Sequence, residues 1–426
     1  MKTHPRRLRP TVVRGLRRVV SGALAGGKRL PGPLERALFD AGRTLPPRVR
    51  RFVRYASRYT GYSDPTVFPA RPPVPDTPVR LFVGPANLAG QGWGWARAAE
   101  RHLDGVGATT FSLGDGFAFA VDYTVPVQMY ALSRRWQKEQ LRHLTAAYTH
   151  VLIEAERPVL GTTYGTTCDG DVRVLRDAGL QVALIAHGSD LRVPSRHVEM
   201  VEDSPFRDTS WEAVPILERT TTHNVELLNA FDGHTFVSTL DLLDYAPRAM
   251  WCPGVVDVEA WAADTVPLER RVPVVVHAPS KGRLKGSELI DPIMTELDRR
   301  GITEYRRIQR VEPHDMPAVY TAADIVIDQF TMGLYGVAAC EAMAAGRVVV
   351  SFVGESVRAR ARAMTGRDVP IIEATPATLV DVVENILDDR NAARNVAAAG
   401  PIFVAENHDG RRSAAALAPF LTGARS

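Results

Sequence analysis

Residues 323–350 read ADIVIDQFTMGLYGVAACEAMAAGRVVV. The run 324–329 is a short apolar, β-branched segment that stops at a loop containing Gly333 and Gly336. An alanine-rich helical stretch follows over 337–345, Gly346 ends it, and 346–353 opens a second apolar run. Strand, loop, helix, glycine, strand is the repeating unit of a parallel sheet covered by helices.

The same alternation extends outward from this unit. Strands are expected at 271–280, 305–311 and 369–374, and helices at 286–300, 315–323, 376–388 and 391–399. An earlier series holds VRLFVG (79–84), a small-residue loop GPANLAGQGWGWA (84–96), a helix from Trp95, and strands at 149–155, 181–187 and 233–239. The two series meet at WCPGVVD (251–257), where Pro and Gly interrupt both patterns. The expected fold is α/β, with two Rossmann-like doubly wound domains facing across a cleft. The expected division is a basic extension and Pro-rich linker (1–76), an acceptor domain (77–250) and a nucleotide-sugar domain (251–409). The segment 410–426 has helical composition and is expected to pack back on the first domain.

The 426 residues are 45% apolar and 23% charged, the balance of a globular chain. No window of eighteen uninterrupted apolar residues occurs, which argues against a membrane-spanning helix. Cys168, Cys252 and Cys340 form no CxxC pair, so neither a disulfide framework nor a zinc site is expected, and a reducing cytoplasm is the simplest compartment. Residues 1–60 carry sixteen Lys and Arg against Glu35 and Asp40, whereas the remainder carries 36 against 46. The body is thus acidic and unsuited to general nucleic-acid binding. The extension reads either as a peripheral anchor on anionic lipid at the inner face of the cell membrane or as a solvated basic tail.

Two segments carry chemistry. HAPSKGRLKGSELI (277–290) follows a strand and opens a helix. From Ser280 to Gly286 it combines Lys281, Arg283 and Lys285 with two glycines, so cations and a helix N-terminus converge where a diphosphate fits. It does not meet the Walker pattern. In the opening segment Glu341 stands in the early part of the helix, where a carboxylate can accept from a ribose diol, or can simply be solvated.

Together these segments resemble the nucleotide-sugar domain of retaining GT-B glycosyltransferases of the family 4 type (glycosyl transferases group 1). That group has an Arg…Lys-Gly pair ahead of a helix and the signature E-G-F-G-x4-E-A-M-A-x-G. Here the signature stands as Gly333-Leu334-Tyr335-Gly336, then Glu341-Ala342-Met343-Ala344-Ala345-Gly346. The resemblance implies transfer of a sugar from a nucleoside-diphosphate sugar, UDP- or GDP-type, to an acceptor hydroxyl on a sugar, glycolipid or glycan. It implies retention, no metal and no cofactor. Lys285 and Arg283 would hold the diphosphate, Glu341 the ribose, and the Leu334–Val337 amides the sugar and phosphates, with the base near 311–313. The first glutamate of the signature falls on Gly333, and Asp328 and Gln329 are the nearest polar candidates to stand in. A soluble small-molecule transferase and a non-catalytic nucleotide-sugar-binding scaffold are the alternatives.

In the first half, HGSDLRVP (187–194) is similar to a stretch found in a bacterial subgroup of that family. The resemblance places His187 against the donor sugar, with Ser189, Asp190 and Arg192 shaping the acceptor side. In the loop 84–96, Asn87, Gly90, Gln91 and Gly92 are candidates for sugar hydroxyls or phosphates. Asp169-Gly170-Asp171 reads as a solvated turn. Glu154 and Glu156 form a candidate carboxylate pair whose rival chemistry is glycoside hydrolysis.

Overall fold

A computed structural model of the chain describes residues 67–114, 118–280 and 282–423. The basic extension, with its membrane reading, and Lys281 lie outside the described residues.

Twelve strands form two sheets among the described residues. The first holds β1 (Val79–Gly84), β2 (Val106–Leu113), β3 (Tyr123–Val125), β4 (His150–Glu154), β5 (Gln181–Ala186), β6 (Thr235–Val237) and β7 (Met250–Trp251), in the order β3-β2-β1-β4-β5-β6-β7. The second holds β8 (Val274–His277), β9 (Glu304–Arg307), β10 (Ile325–Ile327), β11 (Val348–Ser351) and β12 (Ile372–Glu373), in the order β12-β11-β10-β8-β9. Every pairing is parallel. Strand order reverses at β1/β4 in one sheet and at β8/β10 in the other, and such points open crevices at the carboxyl ends of strands.

The central strands are apolar without alternation because both faces are covered. Phe82, Val151, Ile153 and Leu184 belong to one core, while Leu81, Val83, Leu152 and Ile185 belong to the core on the opposite face. The second sheet divides likewise, with Val276, Val326 and Val349 on one side and Val275, Ile325 and Val350 on the other. β9 differs: Glu-Tyr-Arg-Arg alternates exposed and half-buried, as an edge strand does.

The expected strands are present, β1 with the expected bounds and the others shorter. β2, β3 and β7 add to them. β2 reads VGATTFSL, whose Thr109, Thr110 and Ser112 break the apolar run that marked its neighbours. Asp169-Gly170-Asp171 is not a solvated turn. It opens the helix Asp169–Asp177, and the buried Asp171 accepts from the Leu160 N–H at 2.7 Å.

The helix Arg411–Thr422 follows the second sheet in sequence yet packs on the first. Leu417, Phe420 and Leu421 complete the core under Leu81 and Trp95. The chain passes between the two units at 252–257 and again near His408. These crossings are tied by Val256 N–H to His408 O at 2.8 Å and by His408 Nδ1 with Gly254 O at 2.9 Å.

Candidate active site

The carboxyl ends of β1, β5, β6, β8 and β10 surround one cavity of about 230 Å3. The first unit contributes Leu88, Ala89, Gln91, His187, Gly188, Ser189, Arg192, Ser238, Thr239 and Leu240. The second contributes Ser280, Leu284, Lys285, Gln329, Met332 and the run Leu334–Val337. Trp251, Gly254 and His408 close it at the crossing.

Lys285 ends a one-turn helix, Gly282–Lys285, and Gly286 turns the chain with φ +74° into the helix Ser287–Arg299. That turn lies against the loop after β10. The Phe330 N–H donates to Lys285 O at 3.1 Å, and Thr331 Oγ1 donates to Leu284 O at 2.8 Å. A Cβ on Gly286 would stand 2.8 Å from Thr331 Cγ2, so glycine is required by contact as well as by φ. Below the turn, His277 is fully buried at the end of β8. Its Nδ1 meets Ile327 O at 2.9 Å, so Nδ1 carries the proton and Nε2 accepts from Ser287 Oγ at 2.8 Å. Burial pushes this imidazole down to about 4, which keeps it neutral. It pins the start of the helix behind Lys285.

Lys285 Nζ is paired with Oδ1 of Asp328, a carboxylate at the end of β10 that is 4% exposed. The other oxygen, Oδ2, is buried without a partner. Glu341 shares this field. Burial first, and the Asp328 carboxylate second, push it up to about 8 against the pull of Lys285. One cation therefore serves two acids, and at neutral pH the outer acid is held protonated. An arriving diphosphate meets a net charge near zero rather than a surplus of carboxylate.

Gln329 shapes the loop between. Its Nε2 donates to Leu334 O and to Phe352 O at 2.5 Å, and its Oε1 accepts from the Met332 N–H at 2.8 Å. Gly333 sits inside that loop at φ +67°, with its Cβ direction facing Phe352 and Val201 at 3.4 and 3.5 Å. It does not line the cavity. A glutamate there would need a left-handed backbone, which side chains other than glycine disfavour.

Of the expected donor residues, the structure brings Ser280, Lys285 and Leu334–Val337 to the cavity wall. Asp328, Gly286 and Glu341 are not part of that wall, and Glu341 is half-buried. Arg283 turns away: it pairs with Asp208 of the first unit and lies over the Trp211 ring at 5.4 Å. The 311–313 segment is also outside the cavity wall.

In the first unit Gln91 and His187 line the cavity, whereas Asn87, Gly90, Gly92 and Asp190 support it. Asp190 accepts from the His187 N–H at 2.8 Å and the Gly188 N–H at 2.6 Å, shaping the turn that carries His187. Gln91 bridges to the crossing, accepting from the Val255 N–H at 2.6 Å. Asn87 is buried, with Nδ2 donating to Ala120 O and Oδ1 accepting from the Trp93 N–H. Glu154 and Glu156 do not form a catalytic pair across the cavity. Both are buried, and neither lines it. Burial and the nearby Asp190 hold Glu156 well above the usual carboxylate range.

Ser238, Thr239, Trp251 and His408 were not expected at the site. Ser238 and Thr239 follow β6, inside the segment 233–239 that the strand pattern marked without singling them out. His408 arrives from a helix more than 150 residues beyond its partner Gly254, a closure that no local pattern encodes.

This architecture, two parallel doubly wound sheets sharing one cleft, is the GT-B fold. Solved glycosyltransferases share it. A sucrose-phosphate synthase from Thermosynechococcus elongatus is 14% identical, with a TM-score of 0.51 over 79% of this chain and 96% of that one. Anabaena HepE, solved in complex with UDP and glucose, is 13% identical, with a TM-score of 0.53 over 81% of this chain and 99% of that one. No family model matches the chain, and no curated protein matches it in sequence.

Proposed function

We infer that the protein is a glycosyltransferase that takes a sugar from a nucleoside-diphosphate sugar and delivers it to an acceptor hydroxyl. The observation that carries this reading is Lys285 on the cavity wall, at a Lys-Gly turn followed by a helix, in a cavity that His187 and the N-terminus of the helix Val337–Ala344 also line. Departure of a nucleoside diphosphate builds negative charge on the phosphate oxygens. Lys285 and the N-terminal end of the helix Val337–Ala344 are placed to stabilise it. Glu341 serves the ribose, and the 334–337 backbone the sugar and phosphates. His187 serves the sugar, and Asp328, behind Lys285, tunes the cation instead of replacing the missing glutamate. The family resemblance supports retention without a metal, and the fold shared with HepE, solved with UDP and glucose, favours a uridine donor.

The acceptor reading follows from the basic residues 1–60, which suit an anionic membrane and hence a cell-envelope glycan or glycolipid. Vesicle sedimentation of the full chain and of a chain lacking residues 1–60 tests it; equal binding removes the membrane role. For the donor, thermal shift with UDP-, GDP- and ADP-sugars is decisive. A true donor at a hundred times its Kd stabilises by about 2.7 kcal/mol, and a flat response to the whole panel overturns the reading.

A further inference from the structure

Glu154 ends β4, between β1 and β5, and its side chain is fully buried. Both carboxylate oxygens are occupied by donors. Oε2 accepts from the Ala86 N–H and the Asn87 N–H at 3.0 Å each. Oε1 lies 3.1 Å from the Asn87 nitrogen and 3.0 Å from His187 Nε2. The loop after β1 bends to make this fit, with Asn87, Ala89 and Gly90 all at positive φ. Gly92 is part of the same arrangement, because a Cβ there would come within 2.7 Å of Oε1. One carboxylate thus binds together the ends of three strands and the loop whose Leu88, Ala89 and Gln91 line the cavity.

We propose that Glu154 is a positioning residue that fixes the tautomer of His187, so that Nδ1 presents a lone pair to the cavity and selects a sugar hydroxyl that donates. This rests on the donor reading above. A carboxylate that already accepts from two backbone amides can meet the imidazole only as an acceptor, so His187 Nε2 must carry the proton. The Trp95 ring, 4.9 Å away, packs against the imidazole, and Asp190 holds its backbone, so the ring is set in orientation as well. Nδ1 remains as the nitrogen available to a ligand in the cavity that His187 lines. A neutral Nδ1 accepts from O–H and gives nothing to a group that only accepts, such as C–F.

Glu154→Gln has one oxygen for two sets of donors. Keeping that oxygen on the Ala86 and Asn87 amides turns the new NH2 toward His187. The imidazole must then accept at Nε2 and carry its proton on Nδ1, which reverses its polarity toward the ligand.

The test has two arms. In the ligand-free protein, imidazole 15N–1H correlation spectra read the tautomer directly. The expected result is Nε2–H for His187 in the native protein and Nδ1–H in Glu154→Gln. An Nδ1–H tautomer in the native protein overturns the proposal whatever the reaction proves to be. In the second arm, kcat/KM is measured for the active nucleoside-diphosphate hexose and for its singly deoxyfluorinated analogues. At one sugar position the native enzyme should reject fluorine by at least tenfold more than Glu154→Gln does. Equal discrimination at every position sinks the selectivity claim, while absence of turnover with every donor falls on the transferase reading and leaves the first arm standing. Gly92→Ala, which presses on Oε1 without changing the charge, should shift the His187 resonances without switching the tautomer.

Discussion

Lys285, on the cavity wall, is ion-paired with Asp328, a carboxylate almost without solvent and with one oxygen left unpartnered. The pair makes stability and donor binding separable. Lys285→Ala strands a buried carboxylate and should cost about 3 kcal/mol, in the range for breaking a buried pair. Lys285→Ala with Asp328→Asn should recover most of that stability. Donor affinity should stay about ten- to hundredfold weak in both, the worth of a lost charge-assisted hydrogen bond. Chemical denaturation and calorimetric titration of each variant check the two halves.

Glu341 gives a pH dependence of known sign. Its carboxyl is raised to about 8 from the ordinary carboxylate range, chiefly by burial. A carboxyl whose pKa is raised in the fold holds its proton more tightly there than in the unfolded chain, so protonation stabilises the fold. That contribution is complete below the unfolded value and is lost as pH climbs through about 8. Glu341→Gln should therefore melt higher relative to the native protein at pH 9 than at pH 5. A constant difference between those pH values would contradict the assignment.

Gly333 occupies the place of a glutamate in the resembling family. At φ +67°, facing Phe352 and Val201, it is not an empty socket for a carboxylate. Gly333→Ala should destabilise by about 1–2 kcal/mol through the left-handed backbone alone. Gly333→Glu should destabilise at least as much and gain no turnover. A rate increase would show that the family position is intact after all.

Arg283 is held across the cleft by Asp208 and Trp211. The Arg283 and Asp208 side chains are both more than a third exposed, and such pairs add little to stability. Asp208→Ala should leave the melting temperature nearly unchanged and release Arg283 toward the diphosphate, so that donor Kd falls. Arg283→Ala should erase that gain in the double variant, which titration calorimetry reads directly.

The fold was legible because both sheets are buried on two faces and announce themselves as uniform apolar runs around β1, β4, β5, β8, β10 and β11. β2 escaped because Thr109 and Thr110 are buried in a strand without looking apolar. At the site, the Lys-Gly turn and the helix after Gly336 were readable, since glycine, charge and helix start are local signals. The orientation of Arg283 was not, because Asp208 lies 75 residues away in sequence. Nor was the placement of Glu154, whose donors come from the ends of two other strands, β1 and β5, joined to it only by sheet order. The motifs in a sequence record which groups exist; the sheet order decides which of them meet.

The helix Arg411–Thr422 has a consequence for how the molecule can be cut and reassembled. The first unit is discontinuous, and the second is in effect inserted into it. A fragment ending at Trp251 lacks Leu417, Phe420 and Leu421 and leaves Leu81 and Trp95 without their cover. Any excision of the second unit must therefore keep residues 411–422 joined to the first.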